Sequence, residues 1–542
     1  MIVEGNSVLE THKIDSIGYQ EKHLTVASII NEQNSLEQQL LYKGYFQNQL
    51  VLQSKLNDSI FYFKYHLKKQ IKNIHIYIGI NSSEEKKYLE LKNDTIKLTI
   101  QQVEPFMENK IALLEKKGFA LAQLKLIDYI DKDAYLDAKL VLKLNKKRYL
   151  NDIVIEGYDK FSTGIKKAIF KKVKTLNFNQ SSVSKINLAF NELRFVNQTK
   201  YPEILFTKDS TKVYVYLEKA KPNIFNGFIG FSNDEDSKIR LNGYLDLQLQ
   251  NIFNSGEKLN LYWKNDGMQQ SSFNFTTEFP YMYKSPLGIN TDLRIFKQDS
   301  TFQNTKIDLN LAYYFNYNSK IYLGYQKTTS VDIQNINSFS ITDFTNTYIT
   351  STFDYIDYNP KESANNTIFG QKTKLYAKIG IGNRTISSIK LDQLYGILNF
   401  SRNFYLNAKN SVSIKNESFY LQSDEYIANE LHRFGGINSI RGFSENSLQA
   451  NAYSAILTEY RYKMAPSIYI HSIIDYGCFQ DKTSNLSSQL LGVGIGFGLF
   501  TKNGLFHFVY ANGSETNKSF KIKNTIVQIS FTTYFWFIYV KC

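Results

Sequence analysis

The sequence predicts a two-part fold: small α+β modules up to residue 221, then an all-β transmembrane barrel of about 16 antiparallel strands. Three observations predict it. A helix-to-strand pattern repeats in the first two-fifths of the chain, apolar residues alternate with period two from Phe225 onward, and the composition is aromatic without being strongly apolar.

At 542 residues the chain exceeds what one ordinary core serves, so two or more domains are expected. Aromatic residues make up 15%, with 39 Tyr and 39 Phe against 7 Pro, and mean hydropathy is −0.34. Disordered chains lack such aromatics, and helical membrane proteins are far more apolar. Barrels combine aromatic girdles with polar interiors, which suits the mixture. No window approaches the roughly eighteen consecutive apolar residues that a membrane helix needs.

Cys478 and Cys542 build neither a disulfide framework nor a four-ligand zinc site, and no metal or cofactor is expected. The net charge of +14 is spread over Lys68-Lys69, Lys116-Lys117, Lys146-Lys147-Arg148 and Lys171-Lys172 with acids between them. Such scatter reads as solvated faces or contact with anionic lipid headgroups, and nucleic acid is not expected as a partner. The start Met1-Ile2-Val3-Glu4-Gly5 shows neither a basic nor an apolar leader region, so a membrane location implies a leader removed or a start placed late.

Leu40-Leu41-Tyr42-Lys43-Gly44-Tyr45-Phe46 and Leu113-Leu114-Glu115-Lys116-Lys117-Gly118-Phe119 share a pattern. In each, a helical run ends at a Gly suited to the left-handed cap, and an aromatic opens a strand. Strand pairs follow at Gln49 to Lys55 with Ser59 to Leu67, and at Ala120 to Asp128 with Tyr135 to Leu144. Leading strands are expected at Ile74 to Gly79 and Ile153 to Tyr158. The second runs into helical stretches Thr163 to Val173 and Ser182 to Phe195, closed by strands Glu203 to Thr207 and Lys212 to Leu217. The order strand, helix, helix, strand, strand is expected in modules 1–80 (open to truncation at its start), 81–148 and 149–221. It resembles a POTRA domain; a generic α+β repeat is the other reading. A small sheet with a free edge accepts an extended client strand by backbone pairing, whatever the client's sequence.

In the expected barrel, 222–542, Ile307, Leu309, Leu311, Tyr313 and Phe315 alternate with Lys306, Asp308 and Asn310, and Leu375, Ala377, Ile379 and Ile381 with Lys374, Tyr376 and Lys378. A soluble sandwich also alternates, but its strands are shorter and its inward face is apolar. Charged groups on one face of long strands fit a wet lumen with lipid outside. Turns are expected at Asn233 to Ser237, Asn254-Ser255-Gly256 and Asn265-Asp266-Gly267. Gly492, Gly494, Gly496 and Gly498 lack the following helix that a phosphate cradle needs, and read as luminal room for a closely packed segment.

Between two strand patterns, in an expected loop at 427–447, stand Phe434-Gly435-Gly436 and Ile440-Arg441-Gly442-Phe443. They resemble the long-loop signature of the BamA/TamA outer-membrane assembly superfamily (the bacterial surface antigen family), which also covers organellar relatives and two-partner secretion transporters. The resemblance covers nearly the whole chain, and the lysine-, asparagine- and tyrosine-rich style resembles Bacteroidetes members. It implies a loop folded into the barrel and a lock formed by Arg441, Gly442 and Phe443 with acids on the next two strands, where Glu459 and Asp475 stand. An Arg fork between confined carboxylates locks because losing one partner leaves a charge buried and unpaired.

The resemblance also implies a weakly paired lateral seam. Its flanks are a short first strand, Phe225 to Phe231, with Gly227 and Ile229 and weakened by its glycines, and a last strand, Asn524 to Phe535, with Ile529 and Phe531. The tail Trp536 to Cys542 runs past the closing aromatic; an altered gene end and a tail tucked inward each account for it. The function implied is a non-enzymatic assembly, insertion or translocation factor of the bacterial outer membrane, with its modules in the periplasm. Its implied partners are unfolded outer-membrane protein clients, the lipid bilayer and periplasmic or lipoprotein accessory subunits. The alternative is a secretion or lipid-transfer channel of the two-partner transporter type, for which two modules are typical. Catalysis is not expected: GxSxG, HExxH and Walker patterns do not occur, and His471 and His507 have no sequence-recognisable partners.

Overall fold

In the computed structural model, residues 1–57, 59–78, 83–174, 176–233, 239–265, 270–334, 341–359, 367–501, 504–516, 521 and 525–535 are described, with the backbone alone at 83–85, 228–233, 239–242 and 367. The chain divides into two compact units: residues 1–151 with 174–183 and 206–211, and residues 152–173, 184–205 and 212–542.

Three small sheets share one plan, in which a leading strand runs parallel to the last strand and the penultimate strand pairs antiparallel on its other flank. The first holds β1 (Ile2–Gly5), β2 (Gln49–Asn57) and β3 (Ile60–His66) in the order β1-β3-β2, with helices α1 (Val8–Asp15) and α2 (Val26–Tyr42). The second holds β4 (Asn73–Ile78), β5 (Thr95–Thr99), β6 (Gln123–Asp131) and β7 (Leu136–Lys143) in the order β5-β4-β7-β6, with α3 (Ser83–Tyr88) and α4 (Ile100–Lys116). The third has the order β10-β11-β8, from β8 (Asp152–Glu156), β9 (Val196–Gln198), β10 (Glu203–Phe206) and β11 (Thr211–Lys219), with α5 (Thr163–Lys174) and α6 (Gln180–Asn191). β9 lies on β11. These are the POTRA-like α+β modules.

Local chemistry explains the repeat. In α2 the Thr25 side chain caps the start, and Ile29, Gln33, Leu36 and Leu40 form the buried stripe. The helix ends where Gly44 takes φ +91°, with Tyr45 N–H donating to the Leu40 carbonyl at 3.0 Å and Gly44 N–H to Leu41 at 2.9 Å. That Schellman cap needs a residue free to go left-handed, and it drops Tyr45 onto the buried Leu40. Gly118 and Phe119 repeat it over Leu114. Asn73–Ile78 pairs with β5 and β7, so this strand is part of the second sheet. A leading strand belongs with the parallel strand its helices return to.

The second unit carries a closed barrel of sixteen antiparallel strands. They are β12 (Asn223–Asn233), β13 (Ile239–Gln250), β14 (Lys258–Asn265), β15 (Gln270–Phe279), β16 (Leu287–Gln298), β17 (Phe302–Asn316), β18 (Ser319–Asp332), β19 (Phe344–Tyr358), β20 (Gln371–Ile386), β21 (Ile389–Tyr405) and β22 (Asn410–Gln422). After a loop holding β23 (His432–Phe434) and β24 (Leu448–Ala450) come β25 (Ala452–Ala465), β26 (Ile468–Asp481), β27 (Leu486–Thr501), β28 (Gly504–Glu515) and β29 (Ile526–Phe535). Leu309, Leu311, Tyr313, Leu323, Ile349 and Ile381 are exposed outside, while Asp308, Lys320, Gln326, Lys378 and Arg384 are buried within. The lumen pairs its charges: Lys320 lies 2.5 Å from Glu278 and Lys378 2.7 Å from Asp308. An apolar exterior around a charged interior, closed so that no edge is left, is the wall of a membrane-spanning barrel. Among the described residues no helix is long and apolar enough to cross a membrane.

The third module sits on the barrel's adjacent turns. Tyr158 Oη donates to Asn254 at 2.7 Å and accepts from Asn251 at 3.0 Å, Phe195 meets Tyr317 edge-on with centroids 5.7 Å apart, and Arg194 donates to the Gly370 carbonyl at 3.2 Å. The turn at Asn254 to Gly256 lies here; those expected at 233–237 and 265–267 fall largely outside the described residues, as does the tail 536–542.

Candidate functional site: a luminal loop, its arginine and the closing seam

The loop between β22 and β25 enters the lumen as a ribbon, β23 pairing with β24 from His432↔Ala450 to Phe434↔Leu448. Phe434 anchors it, stacked on Tyr453 at 4.0 Å and edge-on to Phe479 at 5.5 Å, in a cluster with Ile440, Ala455, Leu457 and Leu490. Gly435 and Gly436 follow at φ +105° and +100°, turning the chain beneath that ring.

Arg441 lies at the tip, buried. Its Nε donates to Asp475 Oδ2 at 2.7 Å and its Nη2 to Oδ1 at 2.5 Å, while its backbone N–H also reaches Oδ2 at 3.0 Å. Nη1 donates to Glu459, whose other oxygen accepts from Arg461 Nε at 2.7 Å. Asp475 is fully buried. A bidentate, charge-assisted pair with a third donor on the same carboxylate is among the stronger polar fastenings a protein makes. The structure thus brings together Arg441, Glu459 and Asp475. Gly442 and Phe443 stand apart from the acids, against β28: at φ +88°, a Cβ on Gly442 would lie 2.4 Å from the Asn512–Gly513 peptide. Gly492 and Gly513 supply the hollow, since a Cβ on either would meet the Arg441 or Gly442 carbonyl at 2.2 or 2.6 Å.

Sequence reasoning missed a second fastening. Glu430, at the start of the loop, accepts from Arg384 at 2.5 Å, Gln393 at 2.7 Å and Asn346 at 2.9 Å, and neighbouring Asn429 donates to Ser330 at 2.8 Å. The available signal was an acid within the expected loop and an arginine at an inward position of β20. His471 and His507, unpartnered in the sequence, face each other with Nε2 atoms 3.0 Å apart over β27, where Gly496 leaves room for the His471 ring. Among the described residues no group of three or more His, Cys, Asp or Glu could hold a metal ion.

Among the described residues the closing ladder is the shortest of the wall: β12 and β29 share four register pairs, Asn223↔Phe535 to Asn226↔Thr532, where the other ladders have from eight to fourteen. Of the expected seam residues, Phe225 and Phe535 are in that ladder. Gly227, Ile229 and Phe231 pair with Leu245, Gly243 and Leu241 of β13, and Ile529 and Phe531 with Phe508 and Phe506 of β28. Phe225, Ile529 and Phe531 are exposed on the outer face; the side chains of Ile229 and Phe231 lie outside the described residues. The first strand is not short, having eleven residues. Gly227 lets β13 approach, a Cβ there meeting the Tyr244 carbonyl at 2.5 Å, so the difference at the seam lies in how few of the described residues of β12 and β29 are paired. Between the loop and the module end the lumen keeps a cavity of about 920 Å³ among Arg194, Lys221, Glu278, Lys320, Asp354 and Lys374.

A sixteen-strand barrel behind POTRA-like modules, with a long loop pinned inside it, defines the architectural class of this chain. Solved structures are similar to it in fold. BamA from Haemophilus ducreyi lacking POTRA domains 1–3 matches 85% of this chain over 99% of its own, at 14% identity and a TM-score of 0.50. CdiB from Acinetobacter baumannii matches 94% over 98%, at 15% identity and 0.52, and CdiB from Escherichia coli 95% over 100%, at 12% and 0.51. No family model and no curated protein sequence matches the chain.

Proposed function

We propose that the chain is a non-enzymatic assembly, insertion or translocation factor of the bacterial outer membrane, related to the BamA and CdiB structures whose fold it shares. The observation that carries this reading is the seam, which has four pairs among the described residues where the other ladders have eight to fourteen. A seam that parts exposes the backbone edges of β12 and β29 toward lipid, a template for a client strand. The module edges supply capture: β2 and β6 end their sheets and expose Val51, Leu52 and Leu56, and Ile127, Tyr129 and Ile130. In this reading the modules divide at 1–72, 73–148 and 149–221 ahead of the barrel, stand in the periplasm, and hand unfolded outer-membrane proteins, with or without accessory subunits, to the seam. Arg441, Glu459 and Asp475 hold the loop while this happens. The likeness to Bacteroidetes members rests on composition alone.

A secretion channel is the second reading, favoured by the two CdiB structures, which span more of the chain than the BamA structure does. One experiment separates them. Asn226→Cys with Thr532→Cys, in a chain with Cys478→Ser and Cys542→Ser, is reconstituted in liposomes, and the folding rate of an unfolded outer-membrane protein is followed. Insertion through the seam predicts acceleration by the reduced chain and its loss on oxidation, returning with reductant. No acceleration in either state, with ion conductance present, would leave the channel reading.

A further inference from the structure

The loop tip carries a contact that the Arg441 fastening does not use. Three residues beyond Gly442, Glu445 turns to the wall beyond the seam, where one carboxylate oxygen takes the Lys264 ammonium and the other accepts from the Tyr262 hydroxyl at 3.3 Å. Both partners are on β14. Around the wall the order runs β28, β29, β12, β13, β14, with the seam between β29 and β12. The tip therefore grips the wall on both sides of the seam, at Asp475 and the Asn512–Gly513 peptide on one flank and at Lys264 and Tyr262 on the other.

Four strand spacings separate β28 from β14, about 19 Å along the wall. Residues 441–446 cross that interval as a run of turns and bends, and the long side chains of Glu445 and Lys264 complete the reach. Moving the flanks apart pulls on this contact.

We infer that residues 441–445 form a strap across the seam, and that Glu445, Lys264 and Tyr262 are positioning residues that hold the seam shut. The inference rests on the lateral-seam reading above. The strap's two ends differ in kind. Asp475 is fully buried around Arg441, whereas the Glu445 and Lys264 side chains are 35% and 32% exposed. Water competes for an ion pair at that exposure, which makes it a weak tie. The β14 end lets go first, and the loop stays attached at Arg441 when the seam parts.

The test uses the full chain in lipid nanodiscs, with amide hydrogen exchange read on peptides spanning 223–227 and 526–535. Glu445→Ala and Lys264→Met each raise seam exchange about fivefold, as expected for loss of a tie of that strength. Tyr262→Phe raises it less, and Glu445→Lys combined with Lys264→Glu restores it. Gel mobility checks that each barrel is folded. Unchanged seam exchange in both single variants with folded barrels, or failure of the exchanged pair to restore it, overturns the strap. Client folding measured on the same samples separates the two ideas. Faster seam exchange with client folding unaltered keeps the strap and sinks the seam reading, whereas altered client folding without faster seam exchange sinks the strap.

Discussion

The two sides of the barrel are held by different means. On one, β19, β20 and β21 share ladders of fourteen register pairs, and Arg384, fully buried, holds the root of the loop through Glu430. On the other, four backbone pairs close the ring among the described residues, and the loop reaches across through a contact about one-third exposed. The difference teaches where an otherwise continuous hydrogen-bonded wall gives way: local opening follows the regions with few backbone pairs and accessible polar contacts. The loop is rooted in the side that stays shut.

The largest expected effect breaks the buried end of that arrangement. Arg441→Ala leaves Asp475 buried without its cation, at a cost of about 3–5 kcal/mol. The expected outcome is a large drop in the barrel's thermal midpoint in detergent, with the loop becoming open to protease.

An intermediate effect sharpens the comparison on the far wall. Glu430→Ala strands Arg384 and lowers the midpoint, while Arg384→Met with Glu430→Leu, which removes both charges, recovers most of the loss, to within about 1–2 kcal/mol of the parent. Neither changes exchange at the seam. If Glu430→Ala loosens the seam as much as Glu445→Ala does, the two sides are not independent.

The smallest effect lies in the modules. Lys69 Nζ donates to Asp131 at 2.9 Å and holds its carboxyl below the ordinary range. A lowered carboxyl pKa stabilises the fold above its ordinary value of about 3.9 and loses that contribution as pH falls through the lowered one. Lys69→Ala is expected to move the Asp131 midpoint upward in a carbon-13 aspartate NMR titration of the full chain, with little change in stability at neutral pH, since the pair is exposed. A midpoint unmoved by Lys69→Ala would show that the pair does not form in solution.

Much of this was legible in the residues. Period-two alternation announced the sixteen strands because lipid outside and water inside impose opposite demands on successive side chains. The Gly44 and Gly118 caps announced the module repeat because few other residues tolerate that backbone. Arg441, Glu459 and Asp475 were readable because a short motif and two nearby strands bring them together. Glu430 with Arg384 and Glu445 with Lys264 were not, as their partners stand 46 and 181 residues away and meet only through the path of the loop across a closed ring. The short seam ladder was equally hidden, since no residue of β12 marks where its pairing to β29 stops. β5 is five residues long and runs directly into α4, too brief for alternation to separate it from the helix.

The turn between β13 and β14 has one more role. Buried Glu257 cross-braces it, accepting from the Phe253 N–H at 2.6 Å and from the Ser255 hydroxyl at 2.6 Å, and Tyr158 of the third module grips its Asn254. Near the other end of that hairpin sit Tyr262 and Lys264. One hairpin therefore carries both attachments: the third module is fixed at its turn and the loop tip near its other end, two strands away from the gap between the first and last strands.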